Sequence, residues 1–360
     1  MAPSWQHLRK AWRARRRRWM KRATQACAGV ASLWLRFPDE AAACPACASS
    51  RLSLLDVLRV RADLTGRRLA FLTGCEACGL LFCNPLPSPE RLDAFYGDTG
   101  VWAQEHGEHA AHLAAVHERR MRRRKPAGKR AHGRTPPPLV EAVARHVPVA
   151  APPPHAKAID FGCGTGKFLN WLQDFGWDTY GIEPSLDVAF LRHGRLATPP
   201  RDGSFDFAIL HHVLEHVRNP LDILRQLAGS LKEGGLLFIS VPRLDTLPQH
   251  ADFHYCINGR NHLVAFTDAC LRTLLARSGF DVVARLDEPD LDQALTDGQP
   301  LRMRVIARRT ASPAAPPGSP LDAARRALRA YARVHRTRDR VPVPSPIPVR
   351  LRAGWMQRKM

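Results

Sequence analysis

The sequence has no long hydrophobic run, no internal repeat and few acidic residues. None of its apolar runs approaches 18 residues, which excludes a transmembrane helix, because such a helix needs about 20 apolar residues. A basic and then mildly apolar stretch, "RRRRWMKRATQACAGVASLWLRF", is interrupted by Thr24, Gln25 and Ser32, unlike the apolar core of a signal peptide. We therefore interpret residues 1–38 as a basic amphipathic arm and expect a cytoplasmic protein.

The shortage of acidic residues is confined to three segments. Lys and Arg outnumber Asp and Glu by ten to two in residues 1–40, nine to none in residues 119–134 and fifteen to two in residues 301–360. These segments carry a net charge of +30, and the rest of the chain carries −9. Basic arms can bind nucleic acid or an anionic membrane surface. The alternative, solubilising tails, is favoured, because no alternation of aromatic and basic residues accompanies the charge.

Changes in composition divide the chain into five segments. Strand-like and helix-like runs alternate from about Leu139 to Arg309, which predicts an α/β fold with a doubly wound, mostly parallel sheet. The tail contains one plausible basic helix, from Leu321 to about Arg338. The arms are expected to be partly disordered. The predicted segments are a basic arm (1–38), a cysteine module (39–97), a basic helix and linker (98–138), the α/β domain (139–310) and a Pro- and Arg-rich tail (311–360).

A glycine loop lies in "KAIDFGCGTGKFLNWL", residues 157–172, between a predicted strand and a predicted helix. A nucleotide-triphosphate loop is excluded, because Phe161 stands where its first glycine belongs and Phe168 where its hydroxyl belongs. The dinucleotide fingerprint is weak, because Lys167 occupies the position of its third glycine. What remains is an acid followed by glycines that allow close approach of a ligand to the backbone. These residues are Asp160, Gly162, Gly164 and Gly166.

A second acid follows at the end of the next predicted strand. The run "WDTYGIE" ends in Glu183, 21 residues after Gly162. A carboxylate at the tip of the neighbouring strand can accept hydrogen bonds from both hydroxyls of a ribose. Asp160, at the end of the first strand, can receive an ammonium group. Strand, loop, helix, strand and acid in this order are a far more specific signal than a glycine loop alone.

These motifs resemble those of class I S-adenosylmethionine-dependent methyltransferases, from about Lys157 to Arg309. "FDFAILHHVLEHV" is similar to the fourth strand of that family and "LKEGGLLFISVP" to its fifth. The resemblance implies a seven-stranded-type sheet and S-adenosyl-L-methionine as cofactor. It also implies that Asp160 and the loop glycines contact the methionine part, that Glu183 contacts the ribose, and that His211 lies beside the cofactor. Only 22 residues separate Glu183 from Asp206, so the third strand is expected to be short and the adenine pocket shallow or open.

Two Cys-x-x-Cys pairs lie upstream, with 27 residues between them. Cys44 and Cys47 form the first pair, and Cys75 and Cys78 form the second. Four thiolates at this spacing predict a closed, structural zinc site; two disulfides are disfavoured without an export signal. A cysteine module followed by "GLLFCNPLPSPERLDAFYG" resembles a bacterial group of methyltransferases with an N-terminal zinc ribbon. That resemblance implies a small-molecule acceptor, often a sugar or a secondary metabolite.

Methyl transfer to a hydroxyl, or to a carbon made acidic by a carbonyl, also needs a base. Histidine suits that role at neutral pH. His212 at the tip of the fourth strand is one candidate, and His254 and His262 after the fifth strand are two more. His216 is expected to pack on the following helix, and a metal site at "HHVLEH" is rejected for lack of a ligand pattern.

Two further functions stay open. An RNA methyltransferase would suit the basic arms and the cysteine module. A non-catalytic binding module, degenerate on the adenine side, would suit the short third strand.

Overall fold

The computed structural model describes twelve stretches of the chain. They are residues 43–59, 69–97, 112, 115, 138–184, 192–249, 255–259, 261–286, 302–313, 320–334, 340–341 and 347–349. The basic arm (1–38), nearly all of the basic segment 98–138, and His254 lie outside the described residues. Within these stretches, no helix has the length and apolar character needed to span a membrane.

The described residues form six α-helices and thirteen strands, which we number in chain order. The strands are β1 (Leu52–Arg59), β2 (Leu69–Cys75), β3 (Leu81–Asn84), β4 (Lys157–Phe161), β5 (Asp178–Ile182), β6 (Gly194–Arg195), β7 (Phe205–His211), β8 (Leu231–Pro242), β9 (Val264–Ala265), β10 (Phe280–Arg285), β11 (Arg302–Arg309), β12 (Arg340–Val341) and β13 (Ile347–Val349). The helices are α1 (Pro89–Tyr96), α2 (Pro138–Ala144), α3 (Lys167–Asp174), α4 (Pro220–Ser230), α5 (Asp268–Arg277) and α6 (Pro320–Val334).

The larger sheet has seven strands in the order β10-β11-β8-β7-β4-β5-β6. Strands β8, β7, β4, β5 and β6 run parallel to one another, and β11 is antiparallel to both β8 and β10. The predicted doubly wound, mostly parallel seven-stranded sheet is therefore confirmed. The predicted short third strand is β6, which has two residues and lies at the edge of the sheet beside β5.

Local sequence explains the central elements. Strand β7 reads FDFAILH, and five of its seven residues are buried, as expected for a parallel strand covered on both faces. Helix α3 buries Phe168, Leu169 and Leu172 against the sheet, which is the apolar stripe of an amphipathic helix. Helix α4 begins with Pro220, and the Asn219 side chain accepts a hydrogen bond from the Asp222 backbone N–H, a standard N-cap.

A second, smaller sheet joins the cysteine module to the α/β domain. Its strands are ordered β12-β1-β2-β3-β9, with β13 also paired to β1. Strand β9 comes from the α/β domain and pairs with β3 through Leu81–Ala265 and Phe82–Val264. Phe82, Val264 and Phe266 are fully buried in one cluster that also contains cysteines of the module. The module is therefore packed on the domain through a shared sheet and a shared core.

Helix α6 corrects the view of residues 311–360 as a tail apart from the fold. Leu321 and Tyr331 are completely buried, and Leu321 packs directly over Gly74 of β2. Arg325 pairs with Glu76, in the turn between Cys75 and Cys78, and its guanidinium also contacts the Ser53 hydroxyl. The basic helix predicted from Leu321 to about Arg338 corresponds to α6, and the Ala and Leu positions between its arginines make a face that covers the module.

Candidate functional site

The candidate site lies where strands β4, β5 and β7 end. Strand β4 is flanked by β5 on one side and β7 on the other, both parallel to it. The chain thus winds from β4 to both sides, so that a crevice opens at the carboxyl ends of these strands. Open α/β sheets bind ligands at such a switch point. The structure brings together here the predicted residues Asp160, Glu183 and His211.

The loop after β4 has a backbone that favours glycine. Gly162, Gly164 and Gly166 have φ angles of 74°, 52° and 69°, in the left-handed region that costs other residues free energy. A Cβ on Gly162 would lie 2.6 Å from Val213 Cγ2, so the loop packs closely against the segment after β7. A Cβ on Gly164 would meet no described atom within 4 Å. The backbone at Gly164 therefore faces open space that a ligand can fill.

Asp160 presents an unsatisfied carboxylate to this crevice. Its side chain is almost fully buried, and within the described part of the chain Oδ1 has no hydrogen-bond partner. Burial, and then the charge of Glu183, raise the pKa of Asp160 well above its usual range. A buried carboxylate without a partner is costly, so this position favours a ligand that brings a positive charge.

Glu183 follows β5 and is tied to the glycine loop. One carboxylate oxygen, Oε2, accepts a hydrogen bond of 2.9 Å from the Gly164 backbone N–H. The backbone N–H groups of Gly162 and Cys163 both donate to the Ile182 carbonyl. The loop and the end of β5 are therefore held together as one unit, with a carboxylate at its rim.

His211 and His212 end β7 on the other side of β4. The His211 ring lies 4.8 Å from the His212 ring and 6.1 Å from the Phe238 ring. Burial, followed by nearby positive groups, lowers the pKa of His211 to about 3, so the ring is neutral at physiological pH. His212 has a φ of 59°, and its Nδ1 lies 3.0 Å from Glu215 Oε1. A carboxylate in that position orients the imidazole and favours the tautomer with the Nδ1 proton.

A second cluster adjoins these residues and was only partly predicted. His262 was a candidate from sequence, whereas Glu215, His216 and Tyr96 were not. His216 Nδ1 lies 2.9 Å from the Asn261 carbonyl oxygen and 3.0 Å from the Tyr96 hydroxyl. His216 was expected to cap or pack on the following helix; its ring also stacks edge-on against His262, with centroids 4.8 Å apart.

Burial determines the charge states in this cluster. Burial is the main cause that lowers the pKa of His216 to about 4, and it also lowers the pKa of His262. Burial also raises the pKa of Glu215, which has no exposed surface. Burial raises the pKa of Tyr96, and the charges of Glu215 and Glu183 raise it further. Tyr96 therefore lies within electrostatic reach of both acids, at the boundary between the crevice and the cluster.

The four cysteines of the module converge as their spacing predicts. Cys44 Sγ lies 3.6 Å from Cys78 Sγ, and Cys47 Sγ lies 3.5 Å from Cys75 Sγ. All four sulfurs lie within 4.8 Å of one another, and none is in a disulfide. Tetrahedral zinc with Zn–S bonds of about 2.3 Å requires sulfurs about 3.8 Å apart. The arrangement fits a tetrahedral metal ion.

The domain that holds the crevice is similar to known methyltransferases. A family model described as a methyltransferase domain matches residues 131–285. The chain is 32% identical over 103 residues to a ubiquinone biosynthesis O-methyltransferase of Xanthomonas campestris pv. campestris, an alignment that covers 24% of this chain and 43% of that protein. It is 29% identical over 102 residues to an uncharacterized methyltransferase of Mycobacterium bovis, covering 25% of this chain and 40% of that protein.

A solved structure is also similar over a larger part of the chain. It is the Burkholderia thailandensis 1,6-didemethyltoxoflavin-N1-methyltransferase, with 17% identity, a TM-score of 0.40 and coverage of 67% of this chain and 96% of that one. The chain spans less than half the length of the two curated relatives above. The matched residues 131–285 contain the glycine loop, Glu183 and the histidine cluster.

Proposed function

We propose that the protein transfers a methyl group from S-adenosyl-L-methionine to a small-molecule acceptor. The observation that carries this proposal is the buried Asp160 carboxylate, whose Oδ1 lacks a partner in the described residues, beside a glycine loop open to solvent. An amino-acid ammonium group would satisfy it. The methyltransferase-domain match over residues 131–285 supports the same conclusion.

The residues of this chain fit the cofactor part by part. Asp160 would hold the methionine ammonium group, and the backbone at Gly162 and Gly164 allows the ligand to approach closely. Glu183 would accept hydrogen bonds from the ribose hydroxyls, because a carboxylate offers about four acceptor sites. Strand β6 has only two residues, so little of the sheet extends toward the adenine side.

The chemistry requires alignment above all. The bound cofactor supplies a methyl group on a positively charged sulfur, and the acceptor atom displaces that sulfur in line. Holding the reacting atoms in line lowers the barrier by about 7–11 kcal/mol at best. His212 would take the acceptor proton, since Glu215 orients its ring and its side chain is 29% exposed. His262, which stacks against His216 in the adjoining cluster, stays a candidate base, as does His254, which lies outside the described residues.

A small acceptor is supported by the contacts that the module makes with the histidine cluster. Tyr96, which ends helix α1 of the module, reaches His216, and β9 next to His262 pairs with the module's sheet. A hydroxyl acceptor is also consistent with the relative named as a ubiquinone biosynthesis O-methyltransferase. We favour a ring hydroxyl, as in a sugar, because such a group fits a wall made of Tyr and His side chains.

We further propose that Cys44, Cys47, Cys75 and Cys78 hold a structural zinc ion. The short distances between the sulfurs support a closed tetrahedral site. Free thiols at these positions also agree with a reducing, cytoplasmic location.

A test separates this function from the two alternatives. The purified chain is incubated with methyl-tritiated S-adenosylmethionine and an extract of the source organism, and the extract is then divided into acid-soluble and acid-precipitable fractions. We expect label in the acid-soluble, small-molecule fraction. Nuclease-sensitive label in the precipitate would identify an RNA methyltransferase. No transfer and no cofactor binding would identify a binding module, the alternative that the two-residue β6 favours.

A further inference from the structure

The cluster behind the crevice has the composition of a metal site distinct from the four cysteines. Glu215, His216 and His262 each bring one potential ligand atom within 4.8 Å of the others. We infer that these three residues bind a divalent transition-metal cation.

Hydrogen bonds fix both imidazoles in the tautomer that a metal requires. His216 Nδ1 lies 2.9 Å from the Asn261 carbonyl oxygen, and His262 Nδ1 lies 2.8 Å from the Tyr255 carbonyl oxygen. A carbonyl oxygen only accepts, so each Nδ1 carries the proton and each neutral ring has its lone pair on Nε2. Metal-binding histidines commonly donate their other N–H to a backbone carbonyl in this way.

The carboxylate supplies the negative ligand, and one of its two oxygens lacks a partner. Glu215 is completely buried, and within the described residues its Oε2 has no hydrogen-bond partner. Its Oε1 lies 3.0 Å from His212 Nδ1 and 3.9 Å from His216 Nε2. The His216 Nε2 lone pair faces this carboxylate, and a cation between them would be attracted to both. Such a cation would also give the Glu215 Oε2 atom a partner.

The distances and donor types indicate the kind of cation. Bonds from a metal to imidazole or carboxylate are about 2.0–2.2 Å long, so two neighbouring ligand atoms lie about 3–4 Å apart. His216 Nε2 and Glu215 Oε1 are 3.9 Å apart, which is within this range. Two imidazoles and one carboxylate favour zinc, iron, cobalt or nickel over magnesium. Three protein ligands leave a coordination position open, unlike the closed cysteine site.

The location gives the cation a role that rests on the proposed function. Val213, two residues before Glu215, packs against Gly162 of the cofactor loop, so the site lies beside the methyl donor. A cation there would bind the acceptor hydroxyl and lower its pKa. The acceptor O–H proton would pass to His212, an O–CH₃ bond would form, and the S–CH₃ bond would break with its electron pair left on sulfur.

Metal content tests the inference directly. The full chain, Glu215→Gln, His262→Gln, Cys75→Ser and the control His146→Gln, an exposed histidine, are brought to equilibrium by dialysis against micromolar Co²⁺. Bound metal is counted by mass spectrometry. Visible absorbance then shows which site holds each Co²⁺ ion, because Co²⁺ absorbs far more strongly with thiolate ligands than with nitrogen and oxygen ligands. Binding of S-adenosylhomocysteine is measured in the same samples.

We expect two metal ions in the wild-type chain and in His146→Gln, and loss of the weakly absorbing one in Glu215→Gln and His262→Gln. His262→Gln matters most, because His262 is less buried than Glu215 and the substitution is less disruptive. Only the thiolate-bound ion in the wild type, or two ions retained in both variants, would overturn the inference. S-adenosylhomocysteine binding reports separately on the proposed function: unchanged binding with no second metal would refute the metal site alone.

Discussion

The Gly164 backbone N–H donates a hydrogen bond of 2.9 Å to Oε2 of Glu183. The bond joins the loop after β4 to the acid that ends β5, so the two parts of the candidate cofactor site are one rigid unit. Glu183 therefore has two roles in this account, to hold the loop and to bind the ribose.

Replacement of Glu183 tests the second role. Glu183→Gln keeps an oxygen that can accept from Gly164, and we expect about a tenfold loss of S-adenosylmethionine affinity, equal to about 1.4 kcal/mol. Glu183→Ala removes both interactions and is expected to lose more. Calorimetric titration measures the S-adenosylmethionine affinity of both variants, and Asp178→Asn, at the exposed start of β5, is the matched control. Equal affinity in wild type and Glu183→Gln would show that the ribose does not use this carboxylate.

Replacement of Asp160 tests whether its buried carboxylate destabilises the ligand-free protein and serves to bind the cofactor. Its pKa is raised in the folded state by burial and by Glu183, so its contribution to stability is fully present below the unfolded pKa near 4. That contribution is lost as the pH rises toward the folded pKa. At neutral pH, Asp160→Asn should therefore raise the midpoint of thermal unfolding of the ligand-free protein by about 2–4 °C per kcal/mol gained.

Asp160→Asn should also bind the cofactor at least ten times more weakly than the wild type. Scanning calorimetry from pH 4 to pH 8 provides the comparison, since the gain in stability should disappear toward pH 4. A variant that is less stable at every pH would mean that Asp160 is a structural acceptor rather than a ligand of the cofactor.

His212 is expected to act in the chemical step rather than in binding. Glu215 orients its ring at 3.0 Å, as a carboxylate orients a general base. His212→Gln should lower kcat by about 10²–10⁴-fold while the dissociation constant for S-adenosylhomocysteine stays within about twofold. The comparison needs steady-state kinetics once an acceptor is known. A parallel loss of cofactor affinity would place His212 in the binding of the donor instead.

The four cysteines should act as one unit. Cys75→Ser removes one of the thiolates, and we expect loss of the zinc ion and of the ordered module, while residues 157–286 stay folded. Helix α6 should loosen too, because Arg325 pairs with Glu76 in the same turn. Metal analysis and amide hydrogen exchange measure these effects. Stoichiometric zinc retained in Cys75→Ser would refute the four-cysteine site.

Helix α6 is expected to be part of the folded unit. Leu321→Ala removes a completely buried side chain that packs over Gly74, so we expect a loss of about 2–5 kcal/mol in the free energy of unfolding. Arg326→Ala, on the exposed face of the same helix, should change stability by about 0.5 kcal/mol or less. Chemical denaturation compares the two. Equal losses of stability in the two variants would show that residues 320–334 do not pack on the folded domain.

Local patterns were sufficient for most of the fold. The buried run of β7, the glycine loop with Asp160, the acid at Glu183 and the spacing of the four cysteines each depend on residues close in sequence. The two-residue β6 also followed from the short segment between Glu183 and Asp206. These features are determined by chain length and by backbone requirements, which the sequence shows directly.

The histidine cluster and helix α6 depend on contacts between residues far apart in the chain. His216 meets Tyr96, 120 residues away, and Arg325 meets Glu76, 249 residues away. "HHVLEH" supplies Glu215 and His216 but not the third potential ligand. His262 joins them because the backbone N–H groups of Leu263 and Val264 donate hydrogen bonds to the Glu215 carbonyl. The spacing of residues along the chain does not predict this contact.

The crevice between β4, β5 and β7 is the proposed binding site for S-adenosylmethionine. Calorimetric titration of the cofactor into the full chain, beside Asp160→Asn and Glu183→Ala, tests this binding. We expect one site with micromolar affinity in the wild type and an affinity at least tenfold weaker in each variant. Absence of binding to the wild type, or equal binding by all three proteins, would contradict it.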